Sequence, residues 1–286
     1  MNIIGTGLSG LVGSRVVELL SKHHSFEDLS LETGVDITDF KSITSRISAS
    51  KAIWIFHFAA YTNVQEAEKE KDIAWKINVG ATENIVSIAK ETGKKLVYID
   101  TDYAFDGKKQ FYTEQDSPNP LGWYAKTKYE GAKRVLSLGA NSLVIRISNP
   151  YRANPVGKKD FVHKMIDRLR QKQTILAPTD QIFVPTFIDD IATALETLLA
   201  RIGSGLFHVV GSTALSPYDA AIEIAKIWRL SNTLVQKTTF AQFFKDRAPI
   251  PQLAALKNDK IRALGVTLRT FEEGLQEVKR LEYNSV

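Results

Sequence analysis

The chain opens with the stretch MNIIGTGLSGLVG (residues 1–13), in which glycines follow a short apolar run. The run has the length of a β-strand, and the apolar residues of 11–20 recur at helical spacing. Gly5, Gly7 and Gly10 stand at the junction in the spacing G-x-G-x-x-G. Glycine permits a tight turn and a close approach of backbone to phosphate, and a helix N-terminus presents unpaired N–H groups. The stretch therefore predicts a dinucleotide-binding turn, with a purely structural turn as the alternative.

Strand-length apolar runs alternate with helical patterns along the first half of the chain. This alternation predicts an α/β fold with a Rossmann-type, doubly wound parallel sheet. The predicted strands are Asn2–Gly5, Asp28–Leu31, Ala52–Ala59, Lys95–Ile99, Ser142–Ile147 and Leu206–Val210. The predicted helices are Leu11–Leu20, Phe40–Ile47, Ile73–Thr92, Trp123–Leu138, Phe161–Lys172, Ile188–Arg201, Pro217–Trp228 and Arg269–Leu281. We predict a dinucleotide-binding domain over residues 1–150, to which residues 186–210 return, and a smaller substrate-binding part over residues 151–185 and 211–286.

The composition of the 286 residues argues against several classes of function. The chain has no cysteine, which excludes disulfides and thiolate catalysis, and its five histidines lack metal-ligand spacing, so we expect no metal. The net charge of +5 is spread over amphipathic helices rather than clustered, so we expect no nucleic-acid partner. We find neither an apolar stretch of membrane-spanning length nor a signal peptide, and we expect a cytoplasmic protein without a membrane partner.

Acidic residues follow the second predicted strand, where a dinucleotide site binds the adenosine ribose. We expect Glu32 to bind the ribose, with a solvent-facing loop carboxylate as the alternative. Asp36, next to Ile37, either contacts the adenine or caps a turn. No Lys or Arg lies in residues 26–40 to bind a 2′-phosphate, although Arg15 could reach from the first helix. The expected cofactor is NAD(H) or NADP(H), with NAD(H) favoured.

Tyr124 and Lys128 are spaced to share one face of a predicted helix. A charge at about 4 Å is worth about 4 kcal/mol at an effective dielectric near 20, or roughly three pKa units. Lys128 is therefore predicted to lower the pKa of Tyr124 into the range of a general acid; an ordinary exposed helix face is the alternative. Thr101 and Asp102 follow the strand Lys95–Ile99. Thr101 either hydrogen-bonds a substrate carbonyl or serves as a turn residue, and Asp102 either orients the site or caps the loop.

These motifs resemble the extended short-chain dehydrogenase/reductases, and within them the dTDP-4-dehydrorhamnose reductase group. The resembling stretches are Thr6–Gly13, Ala59–Val64, Ile77–Val79, Asp100–Gly107, Tyr112–Lys128, Arg146–Ser148 and Gln181–Thr186, and the likeness thins after about residue 190 except near Arg247–Leu256. Asp100 replaces a usual serine, Gly122 and Ala125 replace an Asn and a Gly, and Asn149 replaces a tryptophan near the substrate. We interpret the first three as changes of loop detail, whereas the last leaves the sugar open.

The resemblance implies an NAD(P)H-dependent reductase of a nucleotide-linked 4-keto sugar. Tyr124 would donate the proton, Lys128 would lower the pKa of Tyr124 and hold the nicotinamide ribose, and Thr101 would polarise the carbonyl. The expected cofactor-binding residues are Gly7, Ser9, Gly10, Leu11, Val12, Glu32, Asp36, Ile37, Ala59, Ala60, Tyr61, Asn78, Tyr124 and Lys128. The expected substrate-binding residues are Asp102, Tyr103, Phe105, Ser148, Asn149, Pro185 and Arg247. Arg146, Pro185 and Arg247 are the candidates for holding the nucleotide diphosphate.

Two further functions remain as alternatives. A regulatory subunit of methionine adenosyltransferase resembles the same reductases, and such a protein would bind dinucleotide and a partner enzyme without turning over sugar. A sugar-nucleotide epimerase or dehydratase would retain its cofactor through purification. The sequence does not name the sugar or its nucleotide, and it leaves open whether the chain forms a homodimer.

Overall fold

The computed structural model describes residues 1–201 and 203–283. Its strands are β1 (Asn2–Thr6), β2 (Ser25–Leu29), β3 (Trp54–His57), β4 (Lys95–Thr101), β5 (Ser142–Ile147), β6 (Pro150–Tyr151), β7 (Ile175–Pro178), β8 (Thr186–Phe187), β9 (Gly205–His208) and β10 (Val235–Thr238). Its α-helices are α1 (Leu11–Leu20), α2 (Phe40–Ala49), α3 (Lys71–Trp75), α4 (Ala81–Thr92), α5 (Trp123–Leu136), α6 (Phe161–Arg170), α7 (Ile188–Arg201), α8 (Pro217–Trp228), α9 (Phe240–Phe243), α10 (Asp259–Arg262) and α11 (Phe271–Tyr283). Among the described residues, no helix is both long enough and apolar enough to cross a membrane.

A six-stranded parallel sheet in the order β2-β1-β3-β4-β5-β9 forms the centre of the fold. Helices α1 and α7 cover one face, and helices α2, α4 and α5 cover the other. The sheet is therefore doubly wound, as the alternation of strand and helix patterns predicted. The strand order reverses between β1 and β3, and ligands of such sheets bind in the crevice at that switch point, beyond the carboxyl ends of the strands.

The central strands are apolar throughout because both faces of the sheet are covered. Ile3 and Phe56 pack with α1 and α7, whereas the neighbouring Ile4 and Ile55 pack with the opposite helices. Alternation of side chains along a strand assigns consecutive residues to opposite faces, so each strand supplies both cores. This continuous burial explains why β1, β3, β4 and β5 were recognisable as apolar runs.

A further apolar core, separate from the two that cover the faces of the sheet, lies in the later part of the chain. Tyr151, Val162, Phe187, Phe271 and Leu275 belong to it, and they come from β6, β8, α6 and α11. The parallel pairs β6–β8 and β7–β10 add two small sheets. We propose that this core organises the smaller part predicted over residues 151–185 and 211–286. Phe187 shows that the returning segment 186–210 also contributes to it.

Several elements differ from the sequence-based expectation. Strand β2 covers Ser25–Leu29 rather than Asp28–Leu31, because it is an edge strand whose exposed polar residues hide the strand pattern. The predicted helix Ile73–Thr92 is interrupted by a π-helical turn at Lys76–Gly80 between α3 and α4. The sequence pattern also missed β7 and β10, a short pair whose residues are partly exposed.

Candidate active site

The glycines after β1 pack the turn against its neighbours. Gly7 has φ +68°, and a Cβ built on it would lie 2.4 Å from the backbone nitrogen of Ala59. A Cβ on Gly13 would lie 2.2 Å from the carbonyl oxygen of Gly7. Gly10 differs, because its ideal Cβ would meet only that same oxygen, at 3.3 Å. The turn therefore needs Gly7 and Gly13 for its own packing and leaves Gly10 open on its outer side.

The first turn of α1 offers backbone donors beside this open glycine. The helix begins at Leu11, and Gly10 at its N-cap has no side chain that could accept from the first N–H groups. Ser9 and Gly10 are exposed, while Leu11 and Val12 are half-buried. Uncapped N–H groups and the helix dipole attract anions. This arrangement fits the phosphates of a dinucleotide, and the predicted phosphate-binding residues lie together here.

The region after β2 differs in detail from the expectation for the ribose. Since β2 ends at Leu29, Ser30 follows the strand directly, and Glu32 lies exposed in a 3-10 turn over Leu31–Thr33. The Asp36 Oδ1 accepts hydrogen bonds from the backbone nitrogen and the hydroxyl of Thr38, both at 2.8 Å. These bonds support the turn-capping interpretation of Asp36. The adjacent Ile37 is half-buried against the core between the sheet and α2, α4 and α5.

Arg15 does not face this ribose region. Its Nε and Nη2 donate to the two carboxylate oxygens of Asp189 at 2.8 and 2.7 Å, and its Nη1 donates to Glu18. A bidentate pair of this kind fixes the guanidinium geometrically. The suggestion that Arg15 could serve a 2′-phosphate is therefore wrong for this conformation, because α7 holds the side chain.

The loop after β3 is held to the glycine turn and to α5. The backbone nitrogen of Ala59 donates to Thr6 Oγ1 at 3.3 Å. The Asn78 Oδ1 accepts from the Tyr61 nitrogen at 2.8 Å, and the Asn78 Nδ2 donates to the Tyr61 oxygen at 3.1 Å and to Thr127 Oγ1 at 2.9 Å. The amide of Asn78 thus positions the loop containing Ala59, Ala60 and Tyr61. A hydrogen bond to Glu70 raises the pKa of the Tyr61 phenol to about 12.

The predicted chemistry-bearing residues meet beyond β4 and β5. Thr101 is the last residue of β4, and its hydroxyl donates to Asp102 Oδ1 at 3.1 Å. The Asp102 Oδ2 accepts from Ser148 Oγ at 2.6 Å. The ring of Tyr103 packs edge-on against Tyr124, with ring centres 6.3 Å apart. Burial raises the pKa of Asp102 to about 6. The structure therefore brings these five residues into one cluster.

The electrostatics of Tyr124 and Lys128 differ from the expectation. Burial raises the pKa of Tyr124 well above its usual range, and the charges of Asp100 and Asp102 raise it further. The Lys128 ammonium lies 4.0 Å from the ring centre of Tyr98, and burial lowers the pKa of Lys128 to about 8. The prediction that Lys128 lowers the pKa of Tyr124 is wrong in this cofactor-free geometry, because desolvation and the two carboxylates dominate.

Asp100 and Arg146 form a buried ion pair beneath this cluster. Asp100 lies inside β4, so interpreting its replacement of serine as loop detail was wrong. The Arg146 Nε donates to Asp100 Oδ2 at 2.7 Å, and the guanidinium lies 5.0 Å from the ring centre of Phe105. Arg146 is 1% exposed and Phe105 is fully buried. The structure therefore places Arg146 and Phe105 behind the site, and neither is free to contact a diphosphate or sugar.

Asn149 and Pro185 directly precede the paired strands β6 and β8. Asn149 has φ +40° and donates from Nδ2 to Ser148 Oγ at 3.3 Å. Asparagine adopts this left-handed backbone more readily than most side chains, which accounts for the residue type here. Pro185 is buried, and a Cβ on Gly211 would lie 2.2 Å from its carbonyl oxygen. Backbone packing thus fixes the position of Pro185.

The segment around Arg247 contacts residues from earlier in the chain. Arg247 is exposed, and the nitrogen of Ala248 donates to Gln65 Oε1 at 2.9 Å. A Cβ on Gly122 would lie 2.5 Å from the Pro249 oxygen. The glycine that replaces the usual asparagine before Tyr124 is therefore required by this close approach. The Arg247 guanidinium lies over the rings of Phe243 and Phe244, 4.2 and 5.6 Å from their centres, and the residue is exposed.

A buried polar network, which sequence reasoning missed, joins β1 to α4. His57 bridges Thr6 Oγ1 at 2.7 Å and Thr82 Oγ1 at 2.9 Å, and Thr82 donates to the Asn78 oxygen at 2.8 Å. Burial lowers the pKa of His57 to about 3, and the charge of Lys128 acts in the same direction. The imidazole is therefore neutral. Polar residues at the ends of apolar strands were the only signal in the sequence.

Comparisons with known proteins agree with this geometry. The sequence matches the family described as RmlD substrate binding domain over residues 1–283. It is 32% identical to a dTDP-4-dehydrorhamnose reductase of Aggregatibacter actinomycetemcomitans, over 77% of this chain and 76% of that protein. It is 31% identical to methionine adenosyltransferase 2 subunit beta of Mus musculus, over 85% of this chain and 74% of that protein. A crystal structure of dTDP-4-dehydrorhamnose reductase from Bacillus anthracis in complex with NADP superimposes with a TM-score of 0.90 at 28% identity, covering 98% of this chain and 99% of that one.

Proposed function

The chain belongs to the RmlD substrate binding domain family, and from this premise we propose that it reduces the C4 carbonyl of a nucleotide-linked keto sugar. It is an NAD(P)-dependent oxidoreductase of the extended short-chain dehydrogenase/reductase class. The observation that carries the proposal is the cluster of Thr101, Tyr124 and Lys128 at the carboxyl ends of the central strands, the edge at which the glycine turn also lies.

Tyr124 is the proton donor in this proposal. The nicotinamide supplies the hydride when the cofactor is bound. Burial raises the pKa of Tyr124, so the phenol holds its proton at neutral pH. An alkoxide is a much stronger base than a phenolate, and a phenol with a raised pKa therefore still protonates the oxygen that develops at the sugar C4.

Lys128 and Thr101 support that transfer. The ammonium of Lys128 is buried. With the cofactor bound, Lys128 would hold the nicotinamide ribose, and its charge would then oppose the upward pKa shift that burial and the two carboxylates impose on Tyr124. The Thr101 hydroxyl is positioned by Asp102, to which it donates, and the backbone nitrogen of Tyr103 donates to it at 3.3 Å. Turning from Asp102 to a substrate carbonyl would let Thr101 polarise that carbonyl.

We propose that the ligands lie along the cluster and the glycine turn. The cofactor would extend from Gly7 and the α1 N-terminus, past the Ala59–Tyr61 loop, to Tyr124 and Lys128. The sugar would contact Asp102, Tyr103, Ser148 and Asn149, and Pro185 and Arg247 would border the nucleotide. This path is supported by the open face of Gly10 and by the exposure of Arg247.

We further propose that NADH is preferred over NADPH. The turn after β2 carries the exposed Glu32, and Arg15 is held by Asp189. A carboxylate near the ribose would repel a 2′-phosphate, and solvent screening leaves a preference of roughly one to two kcal/mol, or about ten-fold in affinity. Titration of both cofactors tests this, and Glu32→Gln should narrow the difference. Clearly tighter NADPH binding by the wild type would refute the preference.

The function itself is tested by cofactor oxidation. A panel of 4-keto nucleotide sugars should oxidise added NADH or NADPH in the presence of the purified protein. A regulatory subunit is the second candidate, because of the similarity to methionine adenosyltransferase 2 subunit beta. That function predicts dinucleotide binding without oxidation by any sugar. Dinucleotide retained through purification, with no net oxidation, would instead indicate an epimerase or dehydratase.

Cellular location and assembly stay predictions of the sequence. We propose a cytoplasmic enzyme, as expected from the sequence. A homodimer is compatible with this proposal. Light scattering on the purified chain measures the assembly directly.

A further inference from the structure

A buried row of ionisable residues lies behind the proposed catalytic pair. Asp100, Arg146 and His208 occupy the same register on β4, β5 and β9. Register partners in parallel strands point to the same face of the sheet, so the three side chains form a continuous row. Each is at most 1% exposed. Burying charges costs free energy even when they are paired, so a row of this kind is informative about function.

The carboxylate of Asp100 balances the charge of Arg146. Arg146 Nε donates to one carboxylate oxygen at 2.7 Å, and its Nη1 lies 3.5 Å from His208 Nε2. Burial lowers the pKa of His208 to about 3, and Arg146 acts in the same direction, so His208 is neutral. The other oxygen of Asp100, Oδ1, is buried and has no hydrogen-bond partner among the described residues. Arg146 thus holds one oxygen of the Asp100 carboxylate, while the other oxygen accepts no hydrogen bond from the described residues.

Lys128, on α5, packs against the face of β4 that carries Asp100. Tyr98 precedes Asp100 by two residues, which places both side chains on the face covered by α5. The Tyr98 hydroxyl donates to the Lys128 oxygen at 3.3 Å, and its ring lies beneath the ammonium. Asp100 attracts that ammonium and opposes its desolvation. The ionisable groups around Lys128 are Tyr98 and Asp100 on β4, the neutral His57 on β3 and Tyr124 on α5.

We propose that Asp100 is a positioning residue that keeps Lys128 charged and seated on Tyr98 before the cofactor binds, with Arg146 anchoring the carboxylate. The role of the Lys128 charge in catalysis rests on the proposed reductase activity. The charge on Lys128 itself can be measured without any activity assay. Without the carboxylate, burial would lower the pKa of Lys128 further and leave a smaller fraction of it charged at neutral pH, and an uncharged amine would hold a ribose or a phenolate poorly.

The test measures the ionisation of Lys128 in the full-length, cofactor-free protein. Lysines labelled with ¹³C are titrated by NMR, and the Lys128 signal is identified by its loss in Lys128→Arg. Asp100→Asn should lower the titration midpoint by about one pH unit or more. Arg146→Lys alters the geometry of the same ion pair but keeps both charges, so it should not lower the midpoint. Asp100→Glu should restore the wild-type value.

The paired variants separate charge from structure. A midpoint unchanged in Asp100→Asn, or lowered equally in Asp100→Asn and Arg146→Lys, would overturn the proposal. If Asp100→Asn fails to fold because Arg146 is left unpaired, the double variant with Arg146→Met removes both charges and should still lower the midpoint. Since no sugar or cofactor enters the measurement, a failed reductase assay would leave this result interpretable on its own.

Discussion

Replacing Gly10 by alanine should weaken dinucleotide binding without unfolding the protein. Gly10 has φ −74° and ψ 178°, which alanine adopts without strain. The added methyl would meet only the Gly7 oxygen, at 3.3 Å. This contact is tight and requires the Gly7 oxygen to shift by a few tenths of an ångström, a much smaller demand than a backbone overlap below 3.0 Å. The methyl would then occupy the open side of the turn beside the α1 N-terminus, where the phosphates are proposed to lie.

Gly13→Ala should behave differently. Its methyl would lie 2.2 Å from the Gly7 oxygen and 2.7 Å from the Leu8 Cα, and these backbone atoms cannot move away cheaply. Overpacking of this kind typically costs about 1–3 kcal/mol. Gly80→Ala is the matched control, because Gly80 has φ −61° and no atom within 4 Å of its ideal Cβ. It should be neutral or stabilising by roughly 0.5–1 kcal/mol.

Urea unfolding and dinucleotide titration distinguish these outcomes. Gly10→Ala should keep its free energy of unfolding within about 0.5 kcal/mol of the wild type, while its affinity falls about ten-fold or more, which corresponds to about 1.4 kcal/mol. Gly13→Ala should lose both stability and binding. Wild-type affinity in Gly10→Ala, or wild-type stability in Gly13→Ala, would refute this account of the turn.

Two pH-dependent predictions follow from Lys128 and His163. Burial lowers the pKa of Lys128 to about 8. Because the charged form of Lys128 is the active one, kcat/KM should fall as the pH rises through about 8. Lys128→Arg should move that fall in kcat/KM to higher pH. Burial opposes the charge of His163, but hydrogen bonds to Asp160 and Glu282 outweigh it and raise its pKa to about 9. Since this value exceeds the unfolded pKa of about 6.5, the stabilisation is complete below about pH 6.5 and is lost as the pH rises through about 9. His163→Gln should therefore cost about 2 kcal/mol in urea unfolding at low pH and much less above about pH 9.

Local patterns in the sequence were sufficient to predict the sheet and the glycine turn. Buried strands read as unbroken apolar runs, and the glycine spacing lies at the junction of β1 and α1. The edge strand β2 was misplaced because only part of it is buried. The π-helical turn at Lys76–Gly80 was missed because Asn78 is fixed by partners that are distant in sequence.

The electrostatics of the site depend on contacts that no local pattern contains. The pairing of Asp100 with Arg146 follows from the register of β4 and β5, across 46 positions of sequence. The spacing of Tyr124 and Lys128 correctly placed both on one helix, but it could not show that Tyr98 lies beneath the ammonium. Burial, which depends on the whole fold, then reversed the expected direction of the Tyr124 pKa shift.

The central claim is that Tyr124 donates the proton, and Tyr124→Phe tests it most directly. The variant keeps the ring that packs against Tyr103 and removes only the hydroxyl. With a 4-keto nucleotide sugar that the wild type reduces, the single-turnover rate should fall about 10²- to 10⁴-fold, while dinucleotide affinity and the unfolding midpoint stay at the wild-type values. A variant that reduces the same sugar at the wild-type rate would contradict the account.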